Sequence, residues 1–198
     1  MLGSLPRPPP ATTAPMPPTA SDDMPQGAQA PDFSLPEPGT DRTVRRVDHE
    51  SSPLVVAFLC NHCPYVVHIA DAFARFAAEV AERGVRTVAI CSNDAEAYPD
   101  DAPEKMPAFA EAHGFDFPYL HDADQSVARA FGAACTPDIY LFDADHRLFY
   151  RGQFDDTRPK GDEATGEDLR AAVEDLLAKA AKPTRQEPSV GCSIKWAK

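Results

Sequence analysis

The stretch Leu54-Val-Val-Ala-Phe-Leu-Cys60-Asn-His-Cys63-Pro64 decides the fold of this 198-residue chain. Its first five residues are all apolar, which predicts a short strand buried on both faces of a sheet. Apolar residues then recur with the spacing of one helix face from Val66 to Val80, and Gly84 provides a helix stop signal. The two cysteines therefore stand in the turn between a buried strand and a helix.

The residues after Gly84 continue to alternate between strand and helix patterns. A second strand and three further helices are predicted, at Val85 to Ile90, Glu104 to His113, Ser126 to Phe131 and Gly166 to Ala181. Ile139 to Phe142 and Arg147 to Tyr150 flank the turn-forming Asp143-Ala-Asp-His146, which predicts an antiparallel hairpin. This order predicts an α/β domain in which helices flank a central mixed β-sheet.

Proline marks the beginning of the chain, because 11 of its 21 prolines fall within residues 1–38. The segment 1–28 has few apolar residues to bury, and its prolines cannot enter a helix interior or a central strand. The sequence therefore predicts a disordered proline-rich arm over residues 1–28 and a folded domain over residues 29–198.

The overall charge restricts the partners of the protein. With 19 basic and 31 acidic residues, the net charge is −12. This charge repels phosphate backbones and anionic membranes, so no nucleic acid and no membrane is expected as a partner. The longest apolar run, Leu54 to Cys60, is also far shorter than the roughly 20 residues of a membrane span.

Cysteine usage predicts the compartment. Five cysteines are too few for a disulfide scaffold, and the chain shows no secretory signal pattern, so a cytoplasmic location is expected. Charge is also distributed unevenly, since Asp94 to Asp124 holds nine acids and one lysine, whereas Lys179 to Lys198 holds five basic residues and one acid. We expect a solvated acidic face and a basic tail; the alternative is a tail that folds back onto the acidic segment.

The C-x-x-C motif in the first turn carries the predicted chemistry. A cysteine before a helix lies near unpaired N–H groups and the positive end of the helix dipole, which stabilise a thiolate. We expect Cys60 to attack a disulfide and Cys63, one turn along, to resolve the mixed disulfide. His62 is expected to stabilise the thiolate, and Pro64 is tolerated in the first turn of a helix.

Two other roles for these cysteines remain open. Cys60 and Cys63 are half of a zinc site, although no second C-x-x-C motif completes it. His62 and His68 could join them in binding a soft metal such as Cu(I). A purely structural pair is the other alternative, because free cysteines are commonly buried. The sequence predicts no metal, and a non-catalytic copper-binding protein is kept as an alternative function.

Cys135-Thr136-Pro137 stands directly before the predicted hairpin. A strand, a C-x-x-C motif, a helix, and then Thr-Pro before a hairpin and a final helix together resemble the thioredoxin fold. This resemblance implies a cis Thr136–Pro137 bond and a loop that packs against the cysteine pair and binds substrate. The Cys-x-His-Cys form is similar to that of protein disulfide isomerases and bacterial disulfide oxidases.

A closer resemblance is to the AhpC/TSA, or peroxiredoxin-like, family within the thioredoxin-like proteins. It is carried by Ala30-Pro-Asp-Phe-Ser-Leu35, Ser92-Asn-Asp94, Phe117-Pro-Tyr-Leu-His-Asp122 and Tyr140-Leu-Phe-Asp143. The peroxidase motif P-x-x-x-T-x-x-C is incomplete, however. With Cys63 as its cysteine, Cys60 replaces the threonine and Val56 replaces the proline. Pro137 stands near the place of the arginine that polarises peroxide.

The sequence as a whole predicts a thiol–disulfide oxidoreductase whose redox-active disulfide joins Cys60 and Cys63, with no bound cofactor. Its expected partners are a disulfide-containing protein or a low-molecular-weight thiol and an external electron donor. The alternative enzyme is a thiol peroxidase with an antioxidant role. Of the other cysteines, Cys91 is expected in the core, whereas Cys135 and Cys192 are either an auxiliary redox pair or two unpaired thiols with packing roles.

Overall fold

A computed structural model describes residues 24–198 of the chain. The predicted proline-rich arm spans residues 1–28, and its residues 1–23 lie outside the described part of the chain. Its last residues contact the domain, since Gly27 N–H donates to the Leu148 carbonyl at 2.9 Å and Leu148 N–H donates to the Ala28 carbonyl at 2.8 Å. The folded domain thus includes Gly27, slightly before the predicted boundary.

The described residues form nine strands and four α-helices. The strands are β1 (Ser34–Pro36), β2 (Thr43–Arg45), β3 (Leu54–Phe58), β4 (Arg86–Cys91), β5 (Tyr119–His121), β6 (Cys135–Thr136), β7 (Asp138–Phe142), β8 (Leu148–Gly152) and β9 (Cys192–Ser193). The helices are α1 (Pro64–Ala81), α2 (Met106–Ala112), α3 (Ser126–Phe131) and α4 (Glu167–Leu177). Short 3-10 helices occupy Arg46–His49, Pro99–Asp101 and Pro103–Lys105. Within residues 24–198, no helix combines the length and apolar character needed to cross a bilayer.

The central sheet has the strand order β5-β4-β3-β7-β8. Strands β3, β4 and β5 run parallel, whereas β7 is antiparallel to β3 and β8 is antiparallel to β7. The predicted mixed sheet is therefore confirmed, as is the hairpin around Asp143 to His146. Short strands that the sequence analysis did not predict, β1, β2, β5, β6 and β9, complete the domain.

Strand β3 lies at the centre of the sheet and separates two parts of the core. Val55 and Ala57 belong to the cluster that includes residues of α1 and α4, whereas Leu54, Val56 and Phe58 belong to the cluster on the other side. All five residues are fully buried, as their uninterrupted apolar run predicts. This burial fixes the end of the strand, from which the cysteine turn begins.

Helix α1 begins immediately after the second cysteine. Cys63 is the N-cap residue with an extended backbone, and Pro64 occupies the first helical turn, where its missing N–H is not needed. The helix stops near Gly84, which adopts a positive φ of 84° and donates its N–H to the Ala81 carbonyl. The sequence signals thus place Cys63 at the N-terminus of an 18-residue helix.

The C-terminal tail folds back onto the segment between Asn93 and Gln125, which was the alternative expectation for the two charged regions. Lys195 N–H donates to the Asn93 side chain at 2.8 Å, and its carbonyl accepts from Asp94 N–H at 2.8 Å. Ala197 N–H donates to the Gln125 side chain at 2.9 Å. Hydrogen bonds made by the backbone of the tail thus hold it at the end of the sheet where the cysteine turn lies.

Candidate active site

The structure brings the predicted cysteine pair and the predicted substrate loop together. The Cys60 sulfur lies 3.3 Å from Thr136 Oγ1, and the Cys63 sulfur lies 3.3 Å from the Thr136 carbonyl oxygen. The Thr136–Pro137 bond is cis, as the resemblance implies. Both cysteines are free, and both are almost fully buried. One residue of the loop therefore contacts both sulfur atoms of the pair.

The two thiols of the reduced pair differ in the direction in which their pKa values are shifted. Hydrogen bonds from the Cys192 and Cys60 thiols lower the pKa of Cys63, and the backbone amides of Val66 and Cys192 act in the same direction, against the effect of burial. The pKa of Cys60 is raised, first by the hydrogen bond that its thiol donates to Cys63, then by burial and by the nearby charge of Asp101. These opposite shifts favour Cys63 as the thiol that ionises first.

These pKa shifts are the opposite of the expected ones, because the sequence predicts that the helix terminus lowers the pKa of Cys60. The difference has a geometric cause, because Cys63 is itself the N-cap residue of α1, and Cys60 precedes the helix by nearly a full turn. The partial positive charge of a helix dipole falls off within the first turn. When protonated, Cys63 donates to the Thr136 carbonyl; when ionised, its sulfur accepts from the surrounding thiols and amides.

A buried carboxylate that the sequence analysis missed, Asp101, organises the cysteine turn. Its oxygens accept hydrogen bonds from the backbone N–H groups of Asn61 at 2.8 Å and His62 at 3.3 Å. They also accept from the Asn93 amide at 2.7 Å and lie 2.6 Å from Nδ1 of His62. Because four donors converge on a fully buried side chain, Asp101 fixes the shape of the turn.

Asp101 was missed because it lies in the acidic segment that we expected to form a solvated face. Two acids of that segment are instead fully buried, Asp101 and Asp122. Asp122 accepts from Ser92 Oγ at 2.7 Å and from Ala128 N–H at 2.9 Å, at the start of α3. Nothing in the sequence spacing connects residue 101 with residue 60, so only tertiary structure reveals the contact.

His62 is held as the partner of Asp101. Its ring stacks on Tyr98, with ring centroids 5.7 Å apart and planes inclined by 7°, and Lys195 Nζ lies 5.6 Å from the centre of the same Tyr98 ring. The hydrogen bond with Asp101 raises the pKa of His62, partial burial lowers it, and the charges of Asp101 and Cys63 raise it further. The carboxylate thus favours the protonated form of His62 beside the cysteine pair.

Replacing Asp101 with asparagine is expected to lower the pKa of His62. The ion pair in the wild type persists as the pH rises, until the raised pKa of His62 is reached; the variant should lose the imidazolium at lower pH. A neighbouring opposite charge favours the charged form of a group, so we expect the NMR titration of His62 to move to lower pH in the variant. Asp100→Asn is the matched control, since that carboxylate binds Lys105. An unchanged His62 titration would contradict the assignment of Asp101.

Of the residues that the sequence suggests as metal ligands, the structure places only some close together. Ligand atoms of Cys60, His62 and Asp101 lie within 4.8 Å of one another. His68, in contrast, directs Nε2 to the Thr157 hydroxyl at 2.8 Å. The carboxylate of Asp101 also already binds His62 and the backbone of the turn. A metal ion would therefore have to replace hydrogen bonds that shape the site, and the copper-binding alternative stays a prediction.

The three remaining cysteines occupy different environments. Cys91 is fully buried, and burial raises its pKa to about 12, which fits a core residue. Cys135 lies opposite Ser193 in the β6–β9 pair, and Cys192 lies opposite Thr136. Because side chains alternate along a strand, Cys135 and Cys192 point to opposite faces of this small sheet. Cys192 packs against the core cluster that contains Cys60 and Cys63.

Comparisons with known proteins place the chain among thioredoxin-like proteins. The model of the AhpC/TSA family matches residues 26–151. The crystal structure of a hypothetical protein from Sinorhizobium meliloti is similar over 90% of this chain and 98% of that one, with 49% identity and a TM-score of 0.86. The crystal structure of a protein named thiol:disulfide interchange protein DsbE, from Chlorobium tepidum, is similar over 78% of this chain and 99% of that one, with 21% identity and a TM-score of 0.65.

A peroxidoxin from Mycobacterium tuberculosis, BcpB, is 25% identical over 79% of this chain and 98% of that one, with a TM-score of 0.59. No relative of curated function matches. The mixed sheet, the cysteine turn before α1 and the cis-proline loop together form the thioredoxin fold that the sequence predicts. The family match spans well over half of the chain and includes the cysteine pair and the loop. The chain therefore belongs to the AhpC/TSA family.

Proposed function

We propose that this protein is a thiol–disulfide oxidoreductase in which Cys60 and Cys63 form the redox pair. The observation that carries the proposal is the contact of both sulfur atoms with Thr136. The lowered pKa of Cys63 beside the raised pKa of Cys60 supports it. A thiolate beside a thiol is the arrangement that disulfide exchange requires, because one sulfur attacks and the other resolves.

The charge distribution supports Cys63 as the attacking sulfur. The Cys63 thiolate forms a bond to one sulfur of a substrate disulfide, and the other substrate sulfur leaves as a thiolate. Cys60 then loses its proton and attacks the Cys63 sulfur, which releases the second substrate sulfur and leaves a Cys60–Cys63 disulfide. The substrate gains two electrons and the pair loses two. The sequence alone predicts the reverse assignment, with attack by Cys60.

The proposed partners follow from this chemistry. The substrate is a disulfide-containing protein or a low-molecular-weight disulfide, and an external electron donor returns the pair to the dithiol. Because the sulfur atoms are buried, exchange requires a change in the segments that cover them. We extend the proposal to the cytoplasm, on the ground of cysteine usage alone.

A thiol peroxidase is the second candidate, and the charge on Cys63 favours it. Cys63 occupies the cysteine position of the peroxidase motif and accepts from the first-turn amide of Val66. The protonated Cys60 replaces the threonine of that motif, however, and Pro137 stands near the place of its arginine. The residues that activate peroxide are thus incomplete, whereas both thiols needed for disulfide exchange are present.

The two functions are separated by measuring both reactions on one preparation. We expect the reduced protein to reduce insulin disulfides and oxidised glutathione, and to consume hydrogen peroxide in stopped-flow experiments no faster than free cysteine does at the same thiolate concentration. The double variant Cys60→Ser/Cys63→Ser provides the inactive control. Rapid peroxide consumption without insulin reduction would replace the proposed function with the peroxidase.

A further inference from the structure

Cys192 lies against the redox pair although it is more than 120 residues away in sequence. Strand β9 pairs antiparallel with β6, and Cys192 stands directly opposite Thr136, the residue that contacts both sulfur atoms of the pair. Opposite residues of paired strands present their side chains on the same face. The Cys192 side chain packs against the core cluster that contains Cys60 and Cys63.

Close backbone contact fixes Cys192 in this place. A Cβ atom on Gly191 would lie 2.0 Å from the Thr136 carbonyl oxygen, so only glycine allows the two strands to approach this closely. On one side of this point, Ser189 Oγ donates to the Gly152 carbonyl at 2.7 Å. On the other side, Ile194 N–H donates to the Ala134 carbonyl at 2.9 Å, and the Ile194 side chain is buried.

Cys192 therefore lies beside Cys63, because it stands opposite Thr136, whose carbonyl contacts the Cys63 sulfur. Hydrogen bonding from the thiols of both Cys192 and Cys60 lowers the pKa of Cys63, which agrees with this placement. Donation to Cys63 also raises the pKa of Cys192, which therefore holds a proton in the reduced protein. Cys192 is partly exposed, whereas Cys60 and Cys63 are buried.

We propose that Cys192 is a third redox cysteine, which exchanges with the Cys60–Cys63 disulfide and connects the buried pair to thiols in solution. The inference rests on the proposed function, because that function supplies the first disulfide.

The exchange conserves atoms and electrons. The Cys192 sulfur gives up its proton and attacks the Cys63 sulfur of the Cys60–Cys63 disulfide. The Cys63–Cys192 bond forms as the Cys60–Cys63 bond breaks, and Cys60 leaves as a thiolate that takes up one proton. No external oxidant is consumed, since one disulfide replaces another. The partly exposed Cys192 sulfur then becomes the point at which a low-molecular-weight thiol attacks and reduces the protein.

The experiment uses the full chain, oxidised with oxidised glutathione, alkylated and digested with trypsin without reduction. The pair lies in the tryptic peptide 47–75, Cys192 in peptide 186–195 and Cys135 in peptide 130–147. We expect mass spectrometry to find peptide 47–75 linked to peptide 186–195 in the wild type and in Cys60→Ser. This link should disappear in Cys192→Ser, while a disulfide within peptide 47–75 persists.

A matched control moves the thiol by one residue. In Cys192→Ser/Ser193→Cys the new thiol lies on the opposite face of β9, so its link to peptide 47–75 should be lost although the protein has the same number of cysteines. In Cys60→Ser/Cys192→Ser we expect a lasting glutathione adduct on Cys63, because both resolving thiols are gone.

Three results would contradict the inference in different ways. A disulfide within peptide 47–75, with no link to peptide 186–195 in the wild type or in Cys60→Ser, would overturn the role of Cys192 and leave the proposed function intact. A link between peptides 130–147 and 186–195 would replace the inference with the Cys135–Cys192 pair considered from sequence. If no disulfide forms at any of these cysteines, both the inference and the proposed function fail.

Discussion

Replacing Cys63 with serine is expected to reduce insulin disulfide turnover to the uncatalysed rate and to remove the ultraviolet absorbance of the thiolate at neutral pH. The reason is that the pKa of Cys63 is lowered by hydrogen bonds from the thiols of Cys192 and Cys60, which makes it the attacking sulfur in the proposed reaction. Cys60→Ser should retain the thiolate absorbance, because a serine hydroxyl still donates a hydrogen bond to Cys63. An absorbance titration of both variants and an insulin reduction assay provide the two measurements.

The comparison between the two variants determines which cysteine attacks. If the thiolate band disappears in Cys60→Ser and remains in Cys63→Ser, the charge lies on Cys60, and the assignment made from sequence is the correct one. Cys91→Ala serves as a control for the loss of one thiol, since Cys91 lies in the core with a raised pKa and should contribute no thiolate near neutrality.

The cysteine pair shows which features of the site local sequence patterns can predict and which they cannot. The buried run of β3, the helical spacing of α1 and the turn between them are encoded within residues 54–84, so the position of the cysteine pair could be predicted. The same local patterns predict that the helix terminus stabilises a thiolate at Cys60. Only the backbone angles of Cys63 show that this residue is the N-cap, and only the fold brings the Cys192 thiol to it.

Contacts between distant segments were the least accessible to prediction. Asp101 lies in a 3-10 helix about 40 residues after the pair. It is buried, whereas an acidic segment normally indicates a solvated surface. Strands β6 and β9 have two residues each, too few for any periodic pattern. Their register depends instead on the absence of a side chain at Gly191 and on the burial of Ile194.

Gly191→Ala is expected to separate β9 from β6 and to expose Cys192. The added methyl group would lie 2.0 Å from the Thr136 carbonyl oxygen and 3.1 Å from Cδ of Pro137. The nearest contact is with backbone, so no side-chain rotation can relieve it, and the strand must move away. Loss of the burial of Ile194 alone costs roughly 1.5–3 kcal/mol.

This free energy corresponds to an increase of about ten- to a hundredfold in the accessibility of Cys192, which the rate of its alkylation by iodoacetamide measures. The pKa of Cys63 should rise in the same variant, because the thiol and amide of Cys192 no longer donate to it. Gly161→Ala is the matched control, since its Cβ would lie 3.1 Å from the Arg158 carbonyl oxygen, outside the tail. Circular dichroism verifies that both variants remain folded. If Gly191→Ala is folded and Cys192 reacts at the wild-type rate, close contact with Thr136 does not hold the tail in place.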